Sequence, residues 1–159
     1  MKSDRISVGV AGATPGWMVV RVGDTELALP IERVGEVIPV PEMSPVPTAP
    51  SWVAGIISVR GEVVPVVDLG MRVRGQPADR EGRLVLAATD HADERVGLIV
   101  DAVVGLIDRI GATVAESERE ASIPERFASG VVTDAASVRR AILDLTATLD
   151  PSVAESRSA

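Results

Sequence analysis

The 159-residue chain predicts an all-β fold, an antiparallel sandwich or barrel with few short helices. Three observations predict it. The apolar runs are short and rich in Val and Ile, and they read as about nine or ten strands. Turn residues recur about every 8–12 positions. Helical periodicity is brief wherever it occurs, and eleven prolines break the chain up.

Taken in order, residues 1–16 carry Gly9, Gly12, Pro15 and Gly16 among small residues and read as a flexible tail. Trp17–Val22 is a strand, Gly23-Asp24 a turn, and Thr25–Leu29 alternates so that it pairs back as a hairpin. Pro30 can open a short helix through Ile31, Val34 and Ile38, although Val37–Val40 already looks extended. Pro39, Pro41, Pro45, Pro47 and Pro50 forbid helix and make the following stretch an extended crossing segment. Val53–Val59 and Val63–Val67 are apolar runs joined by the tight polar corner Arg60-Gly61-Glu62, the pattern of a β-hairpin. Asp68 caps a helical turn through Met71 and Val73, and Gly75 ends it.

The polar loop Gln76–Gly82 is the expected boundary between two lobes. Arg83–Thr89 is a strand, Asp90–Glu94 a turn, and Arg95–Val104 a long strand that bends at Asp101 and Gly105. Leu106–Ile110 continues it into a second sheet. The charged stretch 116–126 is a solvated loop. Gly130–Thr133 and Val138–Leu143 form a last hairpin, and Asp144 caps a short helix, Leu145–Leu149, stopped by Pro151. The expected organisation is one domain over 17–150, made of two lobes, with a disordered tail over 151–159.

Composition narrows the function. A net charge of −7 and only three aromatic residues argue against nucleic-acid binding. There is no cysteine, so disulfides and thiolate metal sites are excluded. No apolar run approaches the ~20 residues of a membrane span, which makes a cytoplasmic protein the expectation. His91, the single histidine, stands in a polar turn without a second nitrogen ligand or a nucleophile context, so neither zinc nor a Ser-His-Asp triad is expected. Asp68 and Asp101 read as a helix cap and a strand-end contact rather than as an acid–base pair. No phosphate-binding loop is present. No cofactor and no metal are expected.

Arg60 is the residue that calls for an explanation. It stands at a corner between largely buried strands, where a charge needs a partner in the chain or outside it. Glu36 is the opposite charge available in the same lobe if the chain is extended by Val37. The alternative is that both are ordinary solvated charges, and even a formed surface pair is worth only about 0–1 kcal/mol.

The run Val53-x-Gly55-Ile56-Ile57-Ser58-Val59-Arg60-Gly61 followed by Val63-Val64-Pro65-Val66-Val67-Asp68-Leu69 resembles the hallmark of the CheW family. Leu29–Ile38, Val96–Val103 and Ala141–Leu145 resemble, in order, the segment before its proline-containing crossing, its central second-lobe strand and its closing strand and helix. The resemblance runs from Trp17 to Leu149. It implies two intertwined five-stranded SH3-like β-barrels with a groove between them, and a non-enzymatic adaptor linking chemoreceptor tips to the regulatory domain of the histidine kinase CheA. A scaffold or competing adaptor of a non-motility pathway is the alternative it leaves open. The implied protein is cytoplasmic, gathered at membrane-associated receptor arrays without inserting in the membrane, and monomeric when isolated.

By position, the receptor-binding groove would comprise Val34, Glu36, Arg60, Leu84, Gly97 and Leu106, with Ser58, Arg60 and Gly61 as the corner motif. Ser58 stands where the family usually has Asn, and Val73 where Phe is common.

Overall fold

The computed structural model describes residues 14–91 and 93–152. The expected N-terminal tail lies outside them up to residue 13, and the C-terminal tail from residue 153 onward. Eleven strands run in the described chain: β1 Pro15–Val22, β2 Thr25–Pro30, β3 Val34–Pro39, β4 Val53–Val59, β5 Glu62–Asp68, β6 Arg83–Ala88, β7 Arg95–Val100, β8 Ala102–Asp108, β9 Thr113–Ala115, β10 Ala128–Thr133 and β11 Arg139–Leu143. Two short helices, α1 Leu69–Arg74 and α2 Leu145–Leu149, accompany them. Both start where expected. Asp68 and Asp144 accept hydrogen bonds from the Met71 and Ala147 amides, at 3.0 and 3.1 Å, and Gly75 closes α1 in a left-handed conformation.

The strands form two sheets, in the orders β8-β1-β2-β11-β10-β9 and β3-β6-β7-β5-β4. The second is built from one continuous stretch inserted into the first. The chain therefore crosses between sheets just after Pro30 and at Asp101, not at 76–82. That loop joins α1 to β6 inside a single lobe, so the expected boundary is corrected. Its polarity reflects solvent exposure rather than a linker. After Pro30 the chain makes only a 3-10 turn, Ile31–Arg33, before β3, because the β-branched Val34, Val37 and Ile38 favour extended backbone. Pro15 and Gly16, placed in the tail from the sequence, belong to β1, and β9 had no turn-bounded apolar run to announce it.

Both sheets curl. Beyond the end of β3, Ser44 exchanges backbone hydrogen bonds with Ile56 on β4, at 2.8 and 3.0 Å, which joins the two edges of the five-stranded sheet. Glycine at 55 permits this approach, since a Cβ there would sit 2.5 Å from the Ser44 carbonyl oxygen. In the other sheet the edges β8 and β9 are linked by residues 109–112 alone, which draws them together.

Most strands are apolar on both faces. Leu84 and Leu86 point into the five-stranded sheet with Val64, Val66 and Ile99, whereas Val85 and Ala87 point the other way. The alternate faces of both sheets meet in the largest cluster, which includes Met18, Leu27, Leu29, Val85, Leu98 and Leu143. Trp17, Val19, Ala28, Ile107, Val132 and Ile142 fill the six-stranded sheet. Three stacked cores explain near-continuous apolar runs in an antiparallel fold.

Polar ties lock the crossings. The Asp101 carboxylate accepts from the Gly23 amide at 2.6 Å and the Asp79 amide at 2.7 Å, one from each sheet's territory. Asp68, 1 % exposed, accepts from the Ala78 amide at 2.9 Å, while Arg80 lies 3.2 Å from its other oxygen. Arg72 is fully buried. Its guanidinium lies 4.1 Å from the Trp52 ring centroid and 4.8 Å from that of Phe127, and it donates to the Thr148 and Asp150 carbonyls at 2.7 Å each. Arg72→Ala should destabilise the protein by about 3 kcal/mol in urea unfolding, because it leaves a cavity and carbonyls without their donor. A loss below about 1 kcal/mol would show that the buried cation is dispensable.

Candidate functional site

The Arg60 corner is a two-residue hairpin turn. Arg60 and Gly61 have φ of 51° and 79°, and Val59 pairs with Glu62 across it. Positive φ at both central positions is the geometry that matches the twist of a β-hairpin. For Gly61 it is free of strain; for Arg60 it costs roughly 1 kcal/mol, where Asn or Gly would cost less. The strain is local and coincides with the charged residue singled out from the sequence, a combination found at functional sites.

Arg60 pairs with Glu36. Its Nη2 donates to both carboxylate oxygens, at 2.7 and 2.9 Å. The Arg60 side chain is 59 % exposed and that of Glu36 14 %, so the pair contributes in the range of a surface ion pair, under about 1 kcal/mol. Its placement matters more. Glu36 is on β3 and Arg60 at the tip of β4, the two edges of the five-stranded sheet, so the ion pair bridges the seam that Ser44 closes further along. A register shift between Val34 and Glu36 opposite Ala87 and Leu86 turns Glu36 toward that seam.

The remaining predicted residues divide. Val34 is half-buried on the same strand as Glu36, and Leu106 is half-buried on β8 of the other sheet; both pack against the shared core. Ser58 is exposed on β4 opposite Val63 and lines a recess of about 350 Å³ with Glu42 and Met43. Leu84 and Gly97 are interior. Leu84 has no exposed surface, and a Cβ at Gly97 would lie 3.0–3.2 Å from three Leu84 carbons. Leu84 therefore cannot touch a partner, and Gly97 is there because Leu84 packs across it. The sequence could not show this: with Leu84, Val85, Leu86 and Ala87 all apolar, alternation does not identify the outer face.

A larger groove, about 930 Å³, lies on the outer side of β5 and β7, between them, the 89–95 turn and α2. Asp90 at its rim accepts hydrogen bonds from the Thr146 hydroxyl and the Arg33 guanidinium, which in that order hold its carboxyl below the usual carboxylate range. It thereby joins the five-stranded lobe to α2 and to the inter-sheet link. His91 is an exposed turn residue whose amide donates to the Thr89 hydroxyl at 3.1 Å. The sequence reading missed this groove and Arg72. The available signal for Arg72 was a lone cation within the apolar turn Leu69-Gly70-Met71-Arg72-Val73.

These features define an all-β protein whose exposed constellation is an ion-paired corner and an open groove, an arrangement suited to holding other proteins. Residues 16–151 match the family model of the CheW-like domain, and the chain belongs to that family. The chain is 35 % identical over 113 residues to the chemotaxis protein CheW of Rhizobium meliloti, which covers 70 % of this chain and 73 % of that one. A probable chemotaxis protein CheW of Rhizobium etli is 32 % identical over the same shares, and protein FrzA of Myxococcus xanthus is 35 % identical over 67 % of this chain and 66 % of its own. The fold matches the crystal structure of the scaffolding protein TtCheW from Thermoanaerobacter tengcongensis with a TM-score of 0.73 and 25 % identity, covering 89 % of this chain and 97 % of that one.

Two stability measurements separate interior from surface. Leu84→Asp should cost more than about 4 kcal/mol, because it buries a charge without a partner. Retained cooperative unfolding near the wild-type midpoint would contradict the burial. Arg60→Asn should change stability by less than about 1 kcal/mol, since the lost ion pair is offset by relief of turn strain. Acid sensitivity has a defined sign at Asp90. Its folded pKa is depressed, so its contribution is present at neutral pH and is lost as pH falls below the ordinary carboxylate range. Asp90→Asn should therefore lower the thermal midpoint at pH 7 and leave a smaller difference from wild type in strong acid.

Proposed function

We propose that the protein is a non-enzymatic adaptor that couples chemoreceptors to the histidine kinase CheA in chemotaxis signalling. The observation that carries this reading is the family match over residues 16–151 together with the fold of a scaffolding protein along nearly its whole length. The chemistry of the surface agrees with it. The Arg60 corner presents a charge held by Glu36 on β3, the strand that also carries the half-buried Val34. A receptor's helical hairpin tip would lay an apolar face against Val34 and Leu106 and place a polar group at the Glu36–Arg60 pair. The kinase regulatory domain would meet the barrel ends. Among the described residues no helix is long and apolar enough to cross a membrane. On this reading the protein works in the cytoplasm at receptor arrays and is monomeric when isolated.

Arg60→Asn is the informative variant because it keeps the turn geometry and removes the guanidinium. In a pull-down against the CheA regulatory domain and a receptor cytoplasmic fragment, the wild-type chain should retain both. The variant should lose about tenfold in receptor affinity and keep the kinase, as expected for a partner-facing charge. Failure of the wild-type chain to retain either partner would overturn the assignment. Equal loss of both in the variant would remove Arg60 from the receptor surface.

A further inference from the structure

We propose that the groove between β5, β7 and α2 is a second docking surface, distinct from the Arg60 corner, and that its occupant is a cationic amphipathic helix of a partner protein. Its apolar walls are paired. Val63, 68 % exposed, and Pro65 stand two residues apart on one face of β5, with Trp52 at the base. Across from them Leu145 and Leu149 are one helical turn apart on α2. A groove walled by a strand on one side and a helix on the other takes a helix through side chains at i, i+3 or i+4, and i+7.

The charge of the rim selects the sign of that helix. Five carboxylates line the groove, those of Glu62, Asp90, Asp93, Glu94 and Asp150, against one guanidinium, Arg95. Arg95 is occupied by Glu62 at 3.1 Å and Asp90 by Arg33 at 2.5 Å, which leaves Asp93, Glu94 and Asp150 as the surplus negative charge of the rim. Asp90 and Asp150 are held below the usual carboxylate range by hydrogen bonds, from Thr146 first in one case and Ser152 first in the other, so both stay ionised at neutral pH. An apolar strip edged by surplus negative charge complements a helix with an apolar face flanked by Lys or Arg. None of Val34, Glu36, Arg60, Leu84, Gly97 and Leu106 lines the groove, so this surface goes beyond the receptor-facing one.

The test titrates the full ¹⁵N-labelled chain with two synthetic peptides of about 14 residues, long enough for an amphipathic helix, one patterned in Leu and Lys and the other in Leu and Glu. The Leu/Lys peptide should shift the Trp52 indole and the Val63, Leu145 and Leu149 amides, and the Leu/Glu peptide should not. The exposed double variant Asp93→Lys/Glu94→Lys should weaken the Leu/Lys peptide about tenfold at low salt and less at high salt. Val63→Ser should weaken it at either salt, and Arg60→Asn should leave it unchanged. Thermal melts of each variant report whether the fold is kept. Equal binding of both peptides, shifts outside the groove, or indifference to the charge reversal would overturn the proposal. So would concentration-dependent self-association abolished by the same variants, which would give the groove to a second copy of the chain.

Discussion

A guanidinium without exposed surface, stacked between two of the three aromatic rings of the chain, holds the two lobes in register. Arg72 sits on α1 of the five-stranded lobe. Trp52 beneath it belongs to the same lobe, but Phe127 and the Thr148 and Asp150 carbonyls belong to the other. Removing a cation from water costs several kcal/mol, and the cost is met by two ring faces and by carbonyls at the C-terminal end of a helix, where positive charge is favoured. Because each of these partners must be in place at once, the cation tolerates few inter-lobe arrangements. Apolar packing between the sheets is less selective, since the same methyl groups would be buried at several angles. Other ties at the interface, among them Asp101 with Gly23 and Asp79, Asp90 with Thr146 and Arg33, and Arg74 with the Val22 carbonyl, act within the arrangement that Arg72 sets.

How far the sequence was legible follows from which signals were local. Asp68 and Gly75 bracket α1, and Asp144 opens α2, because capping is decided by a side chain and the amide three residues away. The hairpin corner was legible for the same reason. Two features depend on partners far away in sequence. The inserted lobe, with crossings after Pro30 and at Asp101, has no composition signal: the chain passes from sheet to sheet within one or a few residues, whereas the polar loop 76–82 that looks like a boundary is pinned inside a lobe by Asp68 and Asp101. The side of each strand that faces a partner is equally hidden, since strands buried on both faces lose the alternation that would mark an outer surface. Leu84 and Gly97 were misplaced on that account. The Glu36–Arg60 pairing, which the sequence left open, could be raised at all because charges are rare in such strands.

A left-handed arginine in a hairpin turn costs about as much as its mostly exposed ion pair returns, so the corner adds little to stability. What it supplies is position. The turn fixes the backbone, Glu36 fixes the guanidinium, and the seam between β3 and β4 fixes Glu36, so a cation is held at a defined point with little entropy left to lose on binding. Serine at position 58, next to this corner on an exposed face, leaves the hairpin register intact.

An adaptor must hold more than one partner without letting the surfaces interfere, and the insertion of one lobe into the other provides a means. The Arg60 corner and the acidic groove lie toward the same end of the five-stranded sheet, where Glu62 and Val63 at the start of β5 line the groove immediately after Arg60 and Gly61. The corner is braced toward β3, whereas the groove opens toward α2, and β5 separates them. A shift of α2 relative to the sheet would reshape the groove through Leu145 and Leu149 and would strain the Arg72 and Asp90 ties, yet would leave the Glu36–Arg60 pair untouched, because both its members belong to the inserted lobe. The geometry thus separates an ion pair set within one lobe from a groove whose walls come from both.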